Sequence, residues 1–119
     1  MTNNIERLSS VKIREIRDQT PKTIYVKCIA GHEDIVGTEI EFEVLLTETV
    51  GALKTKIERE FGLESGILTD KIIFSKEQRQ MTPRPLGNND TTLRDNHIKN
   101  YTTITFGVEK NVGGLYIKQ

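Results

Sequence analysis

The sequence predicts an α+β domain in which short strands form a sheet against one amphipathic helix. The helix is predicted over residues 47–62, where apolar side chains recur at helical spacing and line one face: Val50, Leu53, Ile57 and Phe61. The segments on either side of the helix alternate apolar and polar residues with a period of two, which is typical of half-buried strands. A single packing helix needs a partner surface, and these strands supply it.

The composition indicates one domain of ordinary size. The chain has 119 residues, of which 35% are hydrophobic and 29% are charged, and its formal net charge is zero. A nucleic-acid-binding protein normally carries a clear basic excess, so we expect no nucleic-acid partner. No run approaches the roughly 18 apolar residues that span a bilayer, and residues 1–10 lack the apolar core of a signal peptide. We therefore expect a monomer of the cytoplasm, the nucleus or both, with no membrane partner.

The chain offers few residues for metal or covalent chemistry. Its one cysteine, Cys28, excludes a disulfide framework, and its two histidines, His32 and His97, cannot complete a metal site by spacing alone. His32 stands beside Glu33 and Asp34, but this group lacks the spaced ligands of a calcium-binding loop. The sequence also lacks a recognisable pair of nucleophile and base. We expect no enzymatic activity, no cofactor and no metal.

Both ends of the helix carry residues that stop it. Thr47 or Thr49 can cap the first turn, and Gly62 can adopt the left-handed conformation that closes the last turn. The charged side chains between these ends are expected on the solvent side: Lys54, Lys56, Glu58 and Arg59.

Two alternating segments, residues 23–29 and 39–44, precede the helix and predict an antiparallel hairpin. Their inward-facing residues are Ile24, Val26 and Cys28 in the first and Ile40, Phe42 and Val44 in the second. Cys28 is thus predicted to lie in the core, because the alternation turns its thiol away from solvent.

The strongest local charge bias is acidic, since residues 32–48 hold six acids and no lysine or arginine. Three of these acids, Glu39, Glu41 and Glu43, alternate along the outer side of the second predicted strand. One interpretation is that they keep an exposed edge strand from pairing with other molecules. The other is an acidic docking edge for a basic partner.

A third strand is predicted over residues 71–74, with Ile72 and Phe74 on one face and Ile73 on the other. The following stretch, residues 75–89, is polar and contains two prolines that interrupt strand pairing. We expect a mobile loop there, pinned to the core by Leu86.

The remaining core residues come from a turn and a last strand. Residues 92–98 have the character of a turn in which Leu93 and Ile98 fill the core and His97 lies at the surface. Residues 103–108 alternate again and predict a strand, whose inward residues are Ile104, Phe106 and Val108.

In this order, the segments IYVKCIAG, TVGALKTKIEREFGL, KIIF, TTLRDNHI and TTITFGV, with a terminal Gly113-Gly114, closely resemble ubiquitin and its relatives. The resemblance runs from about residue 22 to residue 114. It implies the β-grasp fold, a mixed sheet of four or five strands around one helix, with the first and last strands adjacent and parallel. It also implies a ubiquitin-like domain over 22–110 and a flexible tail over 111–119. Residues 1–21 are polar and slightly basic, which predicts a flexible N-terminal extension outside the fold; the alternative is a partner-binding arm that folds on contact.

In ubiquitin the sheet face away from the helix is the usual recognition surface, formed by an exposed Leu, Ile, His and Val. The resemblance assigns these positions to Ile29, Ile73, Thr105 and Gly107. Two of the four anchors are then small, which lowers the binding energy of an ordinary ubiquitin receptor by on the order of 1 to 3 kcal/mol. Relatives such as SUMO also bind extended peptides along the second strand and helix, where this chain places the three glutamates. A peptide with basic flanks suits that edge better than an acidic one.

The resemblance places the chemistry of conjugation at the C-terminus. Gly113-Gly114 is followed by five residues, so a processing protease would have to cut between Gly114 and Leu115. The exposed glycines could then enter the narrow channel of an activating enzyme, because glycine has no side chain to obstruct it. The alternative is that the pair forms a flexible turn in a tail.

Two functions therefore remain, and both act through contacts with proteins. The first is a modifier processed after Gly114 and joined to lysines of target proteins by activating and conjugating enzymes. The second is a docking domain that is not conjugated, complete or part of a larger protein.

Overall fold

The computed structural model of the chain describes residues 19–108. The predicted N-terminal extension, except for residues 19–21, and the predicted tail with Gly113, Gly114 and Leu115 lie outside this range. Within it, no helix is long and apolar enough to cross a membrane.

Five strands and one α-helix form the described fold: β1 (Lys22–Ala30), β2 (Glu39–Val44), α1 (Val50–Phe61), β3 (Phe74–Lys76), β4 (Arg84–Pro85) and β5 (Thr103–Gly107). The strands make one sheet in the order β2-β1-β5-β3-β4. β1 and β5 are parallel and lie in the middle, whereas the other pairs are antiparallel. The prediction of a mixed sheet with adjacent, parallel first and last strands is confirmed.

The helix α1 begins and ends at the predicted kinds of residue, although it is shorter than predicted. Of the two candidate caps, Thr49 is the one used, because its Oγ1 accepts a hydrogen bond of 3.1 Å from the backbone N–H of Ala52. Gly62 closes the helix with a φ of 70°, in the left-handed region that glycine adopts without strain.

One face of α1 packs on the sheet and forms the core. Phe61 contacts Phe106 of β5 edge to face, with ring centroids 4.9 Å apart. The predicted positions of Cys28, Leu86, Leu93 and Ile98 in the core are confirmed. The buried apolar residues are Ile24, Val26, Cys28, Phe42, Val44, Val50, Leu53, Ile57, Phe61, Leu63, Leu68, Ile73, Leu86, Leu93, Ile98, Ile104, Phe106 and Val108.

Two charged residues of α1, Glu58 and Lys54, are buried, and the prediction that their side chains face solvent is wrong. The Glu58 carboxylate accepts hydrogen bonds from the backbone N–H groups of Gly66, at 3.0 Å, and Leu68, at 2.8 Å. It thereby ties the segment after the helix back onto α1. Helical periodicity could not reveal this burial, because it is caused by a loop that folds over the polar side of the helix.

Lys54 is the second buried charge, and its Nζ donates a hydrogen bond of 2.7 Å to Oδ1 of Asn89. Burial lowers the pKa of Lys54, while the nearby carboxylates of Asp70 and Glu58 act in the opposite direction. Nζ also donates a hydrogen bond of 3.4 Å to the backbone carbonyl of Thr69, so the ammonium group connects α1 to the loop before β3 and to the loop after β4.

The third strand lies further along the chain than predicted. Residues 71–73 make no strand pairing, and β3 starts at Phe74 because only residues 74–76 lie opposite β5. Alternation nevertheless holds, since Ile73 and Ser75 are buried while Ile72 is exposed and Phe74 is partly exposed.

The stretch 75–89, predicted as a loop, contains the two-residue strand β4. Pro85 lies opposite Phe74, at the outer edge of the sheet. This is where proline is tolerated, because its missing N–H would have faced away from the neighbouring strand.

The Cys28 thiol is expected to be unreactive in the folded protein. Its side chain is fully buried, and burial raises the pKa of the thiol, so little thiolate forms at neutral pH. A maleimide at pH 7.5 should modify the native protein far more slowly than the protein in 6 M urea, as measured by intact mass. Equal rates in the two solutions would contradict the burial of this side chain.

Candidate protein-binding face

The sheet has one face that α1 does not cover, called here the outer face. Cross-strand partners lie on the same face of a sheet, which groups Lys27 of β1 with Thr105 of β5 and Phe74 of β3. These residues alternate with the buried Ile104, Phe106 and Cys28, whose side chains point toward α1. Further members of the outer face are Tyr25, Ile29, Thr103 and Gly107.

The assignment of Ile73 to the outer face is wrong, because its side chain is only 1% exposed and belongs to the core. The structure places Phe74 there instead, directly opposite Thr105. The alternation within KIIF gave the correct period, but four residues could not show which set faced the helix. Ser75 continues the alternation and is buried with Ile73. The pairing with β5 is what shows that this set of side chains points toward α1.

The other three predicted positions lie on the outer face. Ile29 is 54% exposed, and Thr105 and Gly107 are partly exposed. Ile72, two residues before Phe74, is 61% exposed and adds apolar surface that was not assigned to the face from the sequence. The role of Ile29, Thr105 and Gly107 in binding stays a prediction.

Gly107 lies close to the side chain of Ala30, its partner across the β1/β5 pair. A Cβ atom placed there would lie 3.2 Å from the Cβ of Ala30, where the pairing of β1 with β5 shifts register. A valine at this position would therefore press on Ala30, and the outer face is flat around Gly107.

Glu39, Glu41 and Glu43 also point to the outer face. They lie opposite Lys27, Tyr25 and Thr23 of β1 and are exposed, and β2 is an edge strand. Both interpretations of these acids remain open, because charges on an edge strand discourage pairing and also attract basic partners.

The edge of β2 beside α1 is partly covered by a lysine. Lys56 Nζ donates to the backbone carbonyl of Glu43 and contacts the Glu48 carboxylate, both at 3.3 Å. The cleft between β2 and α1 is about 200 Å³ and is lined by Glu41, Phe42, Glu43, Lys56, Arg59 and Glu60. A peptide that adds a strand to β2 would have to displace Lys56 at one end and would meet both signs of charge.

The loop between β1 and β2 brings His32 and Asp34 together, with 3.3 Å between Nδ1 and the carboxylate. Residues 19–108 contain no group of three or more histidine, cysteine or acidic side chains placed to hold a metal ion.

Two aromatic residues of the outer face were given no role in binding from the sequence. The rings of Tyr25 and Tyr101 are stacked, with centroids 6.4 Å apart and planes inclined by 20°. Tyr25 pairs with Thr103 of β5, and Tyr101 lies two residues before Thr103. The predicted parallel pairing of the first and last strands therefore indicated that Tyr25 and Tyr101 lie close together.

Comparison with known proteins supports the fold. No protein-family model and no curated protein sequence matches the chain. The solved C-terminal ubiquitin-like domain of mouse tubulin-specific chaperone e superimposes with a TM-score of 0.58 at 13% identity, covering 74% of this chain and 86% of that one. A ubiquitin-like domain from tubulin-binding cofactor B gives a TM-score of 0.57 at 14% identity, covering 83% of this chain and 100% of that one.

A third match is the ubiquitin of Caldiarchaeum subterraneum, with a TM-score of 0.55 at 21% identity, covering 80% of this chain and 100% of that one. At such identities the likeness establishes the fold alone.

Proposed function

We propose, from the ubiquitin-like β-grasp fold that the chain adopts, that it acts by binding other proteins through the outer face of its sheet. The observation that carries this proposal is the exposure of large apolar side chains on a face that α1 leaves uncovered. Ile29 and Ile72 are 54% and 61% exposed, and the partly exposed Phe74 lies opposite Thr105 of β5. Exposed apolar residues grouped on one face are typical of protein contact sites.

The chemistry of this surface favours a partner with a compact apolar contact. Fully burying an isoleucine or phenylalanine side chain contributes about 1.5 to 3 kcal/mol, so Ile29 and Phe74 supply the main anchors. Thr105 and Gly107 between them add a flat area that a partner backbone can approach closely. Such a site suits contacts of modest affinity.

The first mode that we propose is that of a modifier processed after Gly114. It is supported by the Gly113-Gly114 pair, which follows the end of β5 by a few residues, together with the fold shared with an archaeal ubiquitin.

The second mode is a docking domain that is not conjugated. It is supported by the two matches to ubiquitin-like domains, because each of these is a domain of another protein, tubulin-specific chaperone e in one case and tubulin-binding cofactor B in the other. Both modes use the same outer face, and they differ in what happens to the tail.

Substituting Ile29→Asp tests the outer face. We expect it to abolish capture of partners from a cell extract, because a charge would be buried in the contact. Ala52→Asp is the matched control, since it adds the same charge to the exposed first turn of α1, where an acid is tolerated. Capture measured by quantitative mass spectrometry should differ between the variants. Equal capture by both would reject the outer face as the binding site.

A further inference from the structure

The stacked pair of Tyr25 and Tyr101 forms a fixed aromatic platform on the outer face. Tyr101 is 50% exposed, and its backbone N–H donates a 2.6 Å hydrogen bond to the carbonyl of Thr23. Its φ of 66° lies in the left-handed region, which costs a tyrosine energy and is maintained by these contacts. The backbone N–H of Thr23 in turn donates to Oδ1 of Asn100 at 2.9 Å. These two hydrogen bonds fix the backbone that carries the Tyr101 ring, and the ring stacks on Tyr25.

Carboxylates stand beside this platform. Glu41 lies directly opposite Tyr25 across the β1/β2 pair, and Glu43 lies opposite Thr23. Directly opposite side chains have Cβ atoms about 4.5 to 5.5 Å apart, so a ring and a carboxylate are within reach of one ligand group. The charge of Glu39 is less available to a ligand, because Glu39 lies opposite the positively charged Lys27.

One side-chain chemistry satisfies the ring and the carboxylate together. A guanidinium group stacks on an aromatic face and donates paired N–H groups to a carboxylate in the same plane. A lysine ammonium is a point charge without this planar fork, and an acidic or phosphate group would be repelled. Protection of the edge strand would explain the glutamates alone, but it gives no reason for an exposed aromatic pair next to them.

We infer that Tyr25, Tyr101 and Glu41 form a docking site for an arginine side chain carried by an extended segment of a partner protein. The inference rests on the proposed protein-binding function, and it adds a second contact on the β1/β2 side of the face, away from Phe74 in β3. A partner that also contacts Ile29 would thus be expected to carry an arginine directed toward β2.

The probe is an eight-residue peptide of glycine and serine with two arginines, titrated into the full chain and followed by NMR shifts of the tyrosine rings. Two further peptides replace the arginines by lysine or glutamine. The arginine peptide should shift the signals of Tyr25 and Tyr101 and bind at least about fivefold more tightly than the lysine peptide. Equal affinity of the two basic peptides, or shifts confined to other residues, would overturn the inference.

Substitutions then assign the contacts. Glu41→Gln, which removes an exposed charge and keeps the shape, should weaken the arginine peptide about five- to tenfold. Tyr101→Asn, which keeps a residue that tolerates a positive φ, should weaken it about two- to fivefold. Glu33→Gln in the loop between β1 and β2 is the control and should change nothing. Loss of binding with the control but not with Glu41→Gln would contradict the site.

Ile29→Asp separates this inference from the proposed function, because it alters the apolar part of the outer face. The variant should bind the arginine peptide at least as well as the wild type. If partner capture survives Ile29→Asp while the arginine peptide still requires Glu41, the apolar site is rejected and the arginine site stands. If capture is lost with Ile29→Asp but Glu41→Gln leaves the peptide unaffected, the arginine site is rejected alone.

Discussion

Replacing Glu58 by alanine is expected to lower the free energy of unfolding by about 2 to 4 kcal/mol, because two backbone N–H groups lose a charged acceptor. Glu58 is 5% exposed, and its carboxylate accepts hydrogen bonds from the backbone N–H groups of Gly66 and Leu68. Gly66 is exposed, so the main cost falls on the buried N–H of Leu68, which is left without its acceptor when the side chain is removed. The variant also leaves the buried ammonium of Lys54 with one fewer negative neighbour. Urea unfolding followed by circular dichroism measures the change.

Glu60→Ala is the matched control for this prediction. Glu60 lies two residues further along α1 and is exposed, and within residues 19–108 its ion pair is with the neighbouring Arg59, at 3.8 Å. Exposed ion pairs contribute little, so its removal should change the free energy of unfolding by less than about 0.5 kcal/mol. Similar losses in the two variants would show that Glu58 does not tie the loop to the helix.

Replacing Gly114 by alanine is expected to remove every heavier adduct of the protein in cells, if the chain is a modifier. The wild-type protein should lose the last five residues, LYIKQ, and appear as a ladder of adducts on an immunoblot. Alanine adds a methyl group at the residue that must pass a narrow enzyme channel and restricts its backbone. Intact mass of the cell-derived protein and the blot measure the two steps separately.

A substitution in the removed part of the tail provides the control. Gln119→Ala lies at the end of the segment that processing would discard, so the ladder should persist. An intact tail together with a single band in the wild type would contradict the modifier mode and favour the docking domain. Neither result changes the expectations for the outer face.

The fold was predictable because its strongest signals are local and consistent. Period-two alternation marked β1, β2 and β5, and the helical stripe from Val50 to Phe61 marked α1. The resemblance supplied the topology that periodicity alone cannot give, namely the parallel pairing of β1 and β5.

The errors arose where a distant segment decides the environment of a residue. Glu58 and Lys54 occupy polar positions of the helical wheel, yet the loops that contain Leu68 and Asn89 cover them. Ile73 and Phe74 could not be assigned to faces, because pairing with β5 fixes the direction of each side chain. Tertiary contacts of this kind leave no local pattern in the sequence.

The measurement that tests the central claim most directly is site-specific photo-crosslinking from the middle of the outer face. A photoreactive amino acid replaces Thr105, which is partly exposed and lies opposite both Lys27 and Phe74. The same amino acid at Ala52, on the exposed side of α1, serves as the comparison. We expect crosslinked partner proteins from position 105 and none from position 52. Crosslinks from position 52 alone, or from neither position, would contradict binding through the outer face.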